Sequence, residues 1–203
     1  MDGKKALYEV LESSKYGSVA QAVASLTLFT HPETLKPLKN RNIFRVARNA
    51  KRRGEIDDNY MYDDNHIAQD VFLWANNMKK NELTHVQFNH IYDAARSVEN
   101  YTCLSNILVT PSFLAKLTDK DNDVLYLLKY RLNEVYNYNP QKIDFKKPPN
   151  YDDLRWRNFL PYVEDIEQVF EKKRKKVKKN RGIISTEHFG WVFNDYEPFK
   201  DVS

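Results

Sequence analysis

Two short runs of basic residues are the features of the sequence best suited to a chemistry, that of binding anions. Together they hold sixteen of the chain's 32 Lys and Arg residues, and neither run contains an Asp or Glu. Because the formal net charge of the whole chain is only +4, the remainder of the chain is acidic. This segregation of charge predicts two surfaces that meet negatively charged partners.

The first run, residues 36–53, predicts an arginine stripe on one face of a helix that begins at Asn40 and ends at Gly54. At 3.6 residues per turn, the side chains of Arg45, Arg48 and Arg52 fall within about 40° of that of Arg41 around the helix. A guanidinium stays charged and binds phosphate or carboxylate oxygens in pairs. Two interpretations stay open: contact with an external anion, such as a nucleic-acid backbone, or pairing with the acidic stretch at residues 55–70.

The second run, residues 172–181, is predicted to end a helix that is charged on all sides. Like charges four residues apart repel, and the dipole of the helix C-terminus compensates only in part. DNA or RNA phosphates would therefore order the segment, while a solvated helix end and a nuclear import signal are the alternatives. The predicted nucleic-acid contacts are Lys172, Lys173, Arg174, Lys175, Lys176, Lys178, Lys179 and Arg181.

The last 22 residues predict an extended arm, because aromatic residues alternate with smaller or polar ones. With no second strand evident elsewhere, we expect an arm rather than a sheet. Aromatic surface of this kind must be covered, either by the arm's own domain or by a neighbouring subunit. The predicted partner contacts are Phe189, Trp191, Phe193, Tyr196 and Phe199.

Metal and catalytic sites are not predicted. The acidic stretch at 55–70 has enough oxygens for a divalent cation, but its spacing does not fit a calcium loop. His85, His90 and Asn100 invite comparison with a small metal-dependent nuclease finger. That comparison fails because the segment is predicted to be a continuous helix with His90 on its buried face, and because no third histidine follows.

The remaining candidates also favour structural roles. His31 and His188 stand alone, with no nucleophile or carboxylate beside them. Cys103 has no basic neighbour to lower its pKa, so we expect a buried thiol. Residues 18–38 could form a helix-turn-helix, but Pro37 would end the recognition helix after about one turn. We therefore predict no catalytic residue, no metal ligand and no cofactor.

Helical periodicity runs through most of the chain, supported by capping boxes at Ser18 with Gln21 and at Thr84 with Gln87. The predicted fold is all-α, an irregular bundle of six to eight helices with an extended aromatic C-terminal arm. The predicted parts are a helical core at residues 1–136, a Pro-containing loop at 137–152, a C-terminal helix with the basic run at 153–181, and the arm at 182–203.

Composition predicts a soluble, globular protein, cytoplasmic or, in a eukaryote, nuclear, without a membrane span or secretion signal. A single cysteine excludes an intramolecular disulfide. The first hypothesis is a non-enzymatic DNA-binding or RNA-binding accessory protein that grips the phosphate backbone. The alternative is a structural or assembly adaptor, such as a viral one, that forms oligomers through its charged faces and inserts its aromatic arm into a neighbour.

Overall fold

The computed structural model describes residues 2–55, 60–92 and 97–176. Within these residues eight α-helices alternate with two small sheets, so the fold is mixed α/β and the all-α prediction is wrong. The helices are α1 Gly3–Glu12, α2 Val19–Leu26, α3 Pro32–Leu35, α4 His66–Ala75, α5 Val98–Tyr101, α6 Ala115–Lys120, α7 Asn122–Tyr136 and α8 Ile166–Lys176. The strands are β1 Val46–Arg48, β2 Met61–Asp63, β3 Val86–His90 and β4 Ile107–Pro111.

The first two helices form where the sequence predicts them. Ser18 caps α2, because its Oγ accepts a hydrogen bond from the Gln21 backbone amide at 3.1 Å. The reciprocal half of the capping box is missing, since the Gln21 side chain donates instead to Ser25 and to the carbonyl of Arg155. On α1, Leu11 is buried as expected, whereas Val10 is 65% exposed.

The helix predicted between Asn40 and Gly54 does not exist. Bends lead into β1, and a 3-10 turn at Ala50–Arg52 follows it. β1 pairs in parallel with β2, and its Val46 and Arg48 lie opposite Met61 and Asp63. Buried residues at Val46 and Ala47 are compatible with a strand as well as with a helix. The backbone pairing of β1 with β2 therefore determines which of the two forms.

The helix predicted from Thr84 to Tyr101 is also wrong, because its first part is β3. This strand pairs antiparallel with β4, from Val86 opposite Pro111 to His90 opposite Ile107. On the other side of β4, Leu28 exchanges two backbone hydrogen bonds with Val109. β4 ends at Pro111, and a 3-10 turn at Ser112–Leu114 follows it.

β4 lies between two apolar cores, and this explains its continuous run of buried residues. On one face, Ile107 and Val109 share a core with Phe72 of α4 and Phe170 of α8. On the opposite face, Leu108 joins the core formed around α2 and α7. The sheet therefore joins the two halves of the described chain.

Residues 137–165 contain no α-helix and run back across α2 and α3. Backbone amides of this segment donate to the Ala24 carbonyl, the Phe29 carbonyl and the Thr34 hydroxyl, each at 2.9 Å. Trp156 packs edge-on against Phe29, and the Arg131 guanidinium lies 4.6 Å from the centroid of the Trp156 ring. The chain then enters α8, which packs its Phe170 against Trp74 of α4.

Candidate nucleic-acid interface

The four arginines of the predicted stripe do not lie along a helix. Arg41 and Arg45 are partly buried in the segment that leads into β1, Arg48 ends β1, and Arg52 belongs to the 3-10 turn. The structure therefore concentrates exposed positive charge in the later part of the run. We call this part the crossover surface, and its members are Arg48, Lys51, Arg52 and Arg53.

Backbone hydrogen bonds hold the crossover between β1 and β2 against the strand that follows. The amides of Asn49 and Gly54 donate to the carbonyls of Asp63 and Tyr62, and the Tyr62 amide donates to the carbonyl of Glu55. Gly54 has φ +84°, a conformation that side chains with a Cβ rarely adopt. The basic turn is thus fastened to β2 on both sides of its cations.

Arg52 is the most firmly held member of the crossover surface. Its guanidinium carbon lies 4.1 Å from the centroid of the Tyr62 ring, and its Nη1 donates to the Tyr62 hydroxyl at 2.8 Å. Its Nε also donates to Glu55 at 2.7 Å. Lys51 and Arg53, on either side, are exposed. Tyr62 was not among the predicted site residues, although a basic run followed by Tyr60 and Tyr62 is a signal that could have indicated it.

Within the part of the acidic stretch that the structure describes, Asp64 and Glu55 form ion pairs with Arg48 and Arg52, as one of the two interpretations requires. Arg48 Nε lies 3.7 Å from Asp64 Oδ1, and Arg52 pairs with Glu55. The paired side chains are 38% to 55% exposed. Exposed pairs of this kind contribute only about 0.2–1 kcal/mol each, so an external anion can displace the carboxylates at small cost.

A buried polar cluster around Asp63 holds β2, the strand to which the crossover surface is hydrogen-bonded. Asp63 is only 4% exposed, and its Oδ2 accepts hydrogen bonds from the Ile67 amide at 2.8 Å and from the Tyr101 hydroxyl at 2.9 Å. The Tyr101 hydroxyl in turn accepts from the Asn65 amide at 2.7 Å. Burial, together with the nearby Asp63 carboxylate, raises the pKa of Tyr101. The cluster joins β2 to the first turn of α4.

His90 stacks on Tyr101, with ring centroids 5.3 Å apart and an angle of 18° between the planes. Its Nε2 donates to the Tyr101 carbonyl at 2.9 Å, which fixes the tautomer of the neutral ring. Burial lowers the pKa of His90, and the positive charge of Arg48 lowers it further. His90 is therefore a neutral structural partner of Tyr101, on a strand and not on the predicted helix.

A cavity of about 290 Å³ opens beside the crossover surface, lined by Arg53, Gly54, Met61, Tyr62, Asp63, His66 and Ile67. The Nδ1 of His66 donates to the Asp64 carbonyl at 2.8 Å. Asp63 already caps the first turn of α4 through the Ile67 amide. The cavity thus combines one exposed arginine with a histidine and an aspartate. In residues 2–55, 60–92 and 97–176 there is no group of three or more side chains that could bind a metal ion.

The first five residues of the second basic run, 172–176, belong to α8. Lys172 is exposed, Lys173 is partly buried, and the helix itself extends to Lys176. The side chains of Arg174, Lys175 and Lys176 lie outside what the structure describes. So do residues 177–203, which contain Lys178, Lys179 and Arg181 and the predicted aromatic contacts Phe189, Trp191, Phe193, Tyr196 and Phe199.

The remaining candidates have structural surroundings. His31 packs against Phe159 and Tyr162, and His85 is exposed ahead of β3. Cys103 is buried as predicted; burial raises the pKa of its thiol to about 11. The predicted one-turn limit on a recognition helix is confirmed, because α3 spans only four residues.

Comparison of the chain with protein-family models, with curated proteins and with solved structures gave no match. Among the described residues, no helix has both the length and the apolarity needed to cross a membrane.

Proposed function

We propose that this protein binds the phosphate backbone of nucleic acid without catalysing a reaction, using the crossover surface and the basic run of α8. The observation that carries the proposal is the crossover surface, in which four cations occur within six residues, from the end of β1 through the turn that is hydrogen-bonded to β2. Phosphate contacts of this kind give affinity and orientation but little sequence discrimination.

The contacts of Arg52 favour this proposal over a surface that is merely solvated. A flexible arginine loses side-chain entropy when it binds a phosphate, whereas Arg52 is already oriented by the Tyr62 ring and hydroxyl. Lys51 and Arg53 extend from the same turn without being buried. The turn therefore presents its charge at a defined position.

The other cations are assigned smaller or additional roles. Arg41 and Arg45 belong to the same run but are partly buried, so their replacement is expected to change affinity less than replacement of exposed members. Lys172 and its neighbours on α8 add a second group of phosphate contacts. Two groups of contacts on one chain raise the overall affinity when both reach the same strand.

Binding of short DNA and RNA probes, followed by fluorescence anisotropy at low salt, tests the proposal. The variant Lys51→Gln with Arg53→Gln is expected to bind at least fivefold more weakly than the wild type. A matched control, Lys5→Gln with Lys116→Gln, removes one exposed lysine from α1 and one from α6 and has the same net charge as the crossover variant. Equal loss of affinity in the two variants would show a nonspecific charge effect and refute a binding site at the crossover.

A further inference from the structure

β3 has an outer edge that no strand among the described residues covers. In an antiparallel pair, successive residues direct their backbone groups alternately toward the partner strand and away from it. The Ile91 amide donates to Asn106 and the His85 carbonyl accepts from Ser112, so the odd-numbered residues face the β4 side. The amides and carbonyls of Val86, Phe88 and His90 therefore point outward.

The side chains next to this edge form an apolar face that is only partly covered. Val86 and Phe88 are partly buried, as are Leu83 and Trp74, and all four pack against the core around α4 and α8. An edge strand with an apolar face and outward amides is a template for a further strand. Natural proteins cover such an edge or protect it with charges, and β3 carries neither Lys nor Arg.

The chain itself contains a segment of matching pattern. Phe189, Trp191 and Phe193 alternate with smaller residues and would occupy one face of a strand. The segment also begins within reach of β3, because α8 packs on α4 through Phe170 and Trp74, and α4 packs on β3 through Phe72 and Phe88. Ten residues lie between Lys176, the last residue of α8, and residue 187, and they can span roughly 33 Å when extended.

We propose that residues 187–193 of the same chain add to the outer edge of β3 as a third strand. Phe189, Trp191 and Phe193 face the side of the sheet that carries Val86 and Phe88. The segment between Lys176 and residue 187, which contains the second half of the basic run, is then held at both ends by α8 and by the added strand. This proposal stands independently of nucleic-acid binding, since it rests on the edge of β3 and on the aromatic pattern alone.

Amide hydrogen exchange of the full-length protein, resolved by residue, tests the added strand. Outward amides without an acceptor exchange at nearly the rate of an unstructured chain, whereas amides bonded to a third strand are protected. We expect at least tenfold protection of the Val86, Phe88 and His90 amides, and nuclear Overhauser contacts between the rings of Trp191 and Phe88. Unprotected outward amides in the wild-type protein would overturn the proposal without reference to any variant.

A full-length variant identifies the segment responsible. Replacing Phe189, Trp191 and Phe193 by Ser should remove the protection of the outward amides and leave the β4 amides of Leu108 and Val109 unchanged. Replacing Tyr196 and Phe199 by Ser serves as the matched control and should change neither set. Protection that survives the triple replacement, or that disappears on dilution together with a dimer mass by light scattering, would overturn docking within one chain.

Discussion

The guanidinium of Arg52 lies over the ring of Tyr62 at 4.1 Å and donates to its hydroxyl, which ties the basic turn to β2. This contact joins an exposed cation to a side chain that is only 9% exposed. A guanidinium over an aromatic ring gains about 0.5–1 kcal/mol at an exposed site. The position of Arg52 therefore depends on the sheet and not on a helix.

We predict that Tyr62→Leu weakens binding of a nucleic-acid probe about two- to fivefold, because the ring contact that orients Arg52 is worth about 0.5–1 kcal/mol. Tyr62→Phe keeps the ring and should weaken binding by less than twofold. Fluorescence anisotropy of both variants checks the prediction. Wild-type affinity in the Leu variant would show that the orientation of Arg52 is irrelevant to binding.

The carboxylates that pair with the crossover surface are predicted to compete with the ligand. Replacing Glu55 by Gln and Asp64 by Asn removes the Arg52–Glu55 and Arg48–Asp64 ion pairs, so affinity for a nucleic-acid probe should rise about two- to fivefold at low salt. Glu33→Gln, which removes the partner of Lys36 on another element, should change affinity much less. Affinity unchanged in the double variant would rule out competition.

Asp63 is predicted to be essential for stability, since two hydrogen-bond donors depend on its buried carboxylate. Asp63→Ala leaves the Ile67 amide and the Tyr101 hydroxyl without this acceptor and should lower the free energy of unfolding by about 2–3 kcal/mol. Asp63→Asn keeps one oxygen as an acceptor and should cost less. Urea unfolding of both variants measures the difference, and equal midpoints for Ala and wild type would contradict the assignment.

The lowered pKa of His90 predicts that the protein loses stability on mild acidification. The folded state binds a proton to this ring less readily than the unfolded chain, so the stabilising contribution is complete above the unfolded value and is lost as pH falls toward the folded value. Free energies of unfolding at pH 7.5 and pH 5.5 measure the loss. In His90→Asn the loss should be smaller; an identical loss in the variant would assign it to other groups.

The sequence predicts those helices whose ends and buried faces depend on residues close together in the chain. Ser18 caps α2, Pro37 keeps the segment after α3 from continuing as an α-helix, and the apolar spacing of α7 is helical. Asp121 caps the first turn of α7, because its side chain accepts hydrogen bonds from the amides of Asp123 and Val124. Each of these features depends on residues a few positions apart.

The strands could not be predicted because their partners are distant. The arginines of residues 41–52 recur at spacings of three and four, which satisfies a helix, yet Val46 pairs with Met61 fifteen positions later. The Thr84 and Gln87 pattern predicts a capping box, whereas Val86 and Phe88 lie on one face of β3 and alternate with polar residues, as in a strand. The sequence therefore shows the basic residues as a run, while their arrangement in space and the contact of Arg52 with Tyr62 depend on the sheet.

The salt dependence of binding tests the central claim most directly. Each phosphate contact with duplex DNA contributes about −0.9 to the slope of log Kobs against log salt concentration. For the full-length protein the account predicts a slope of about −3 or steeper, and a slope reduced in magnitude by about 2 for Lys51→Gln with Arg53→Gln. Absence of binding at low salt, or a slope near zero, would contradict it.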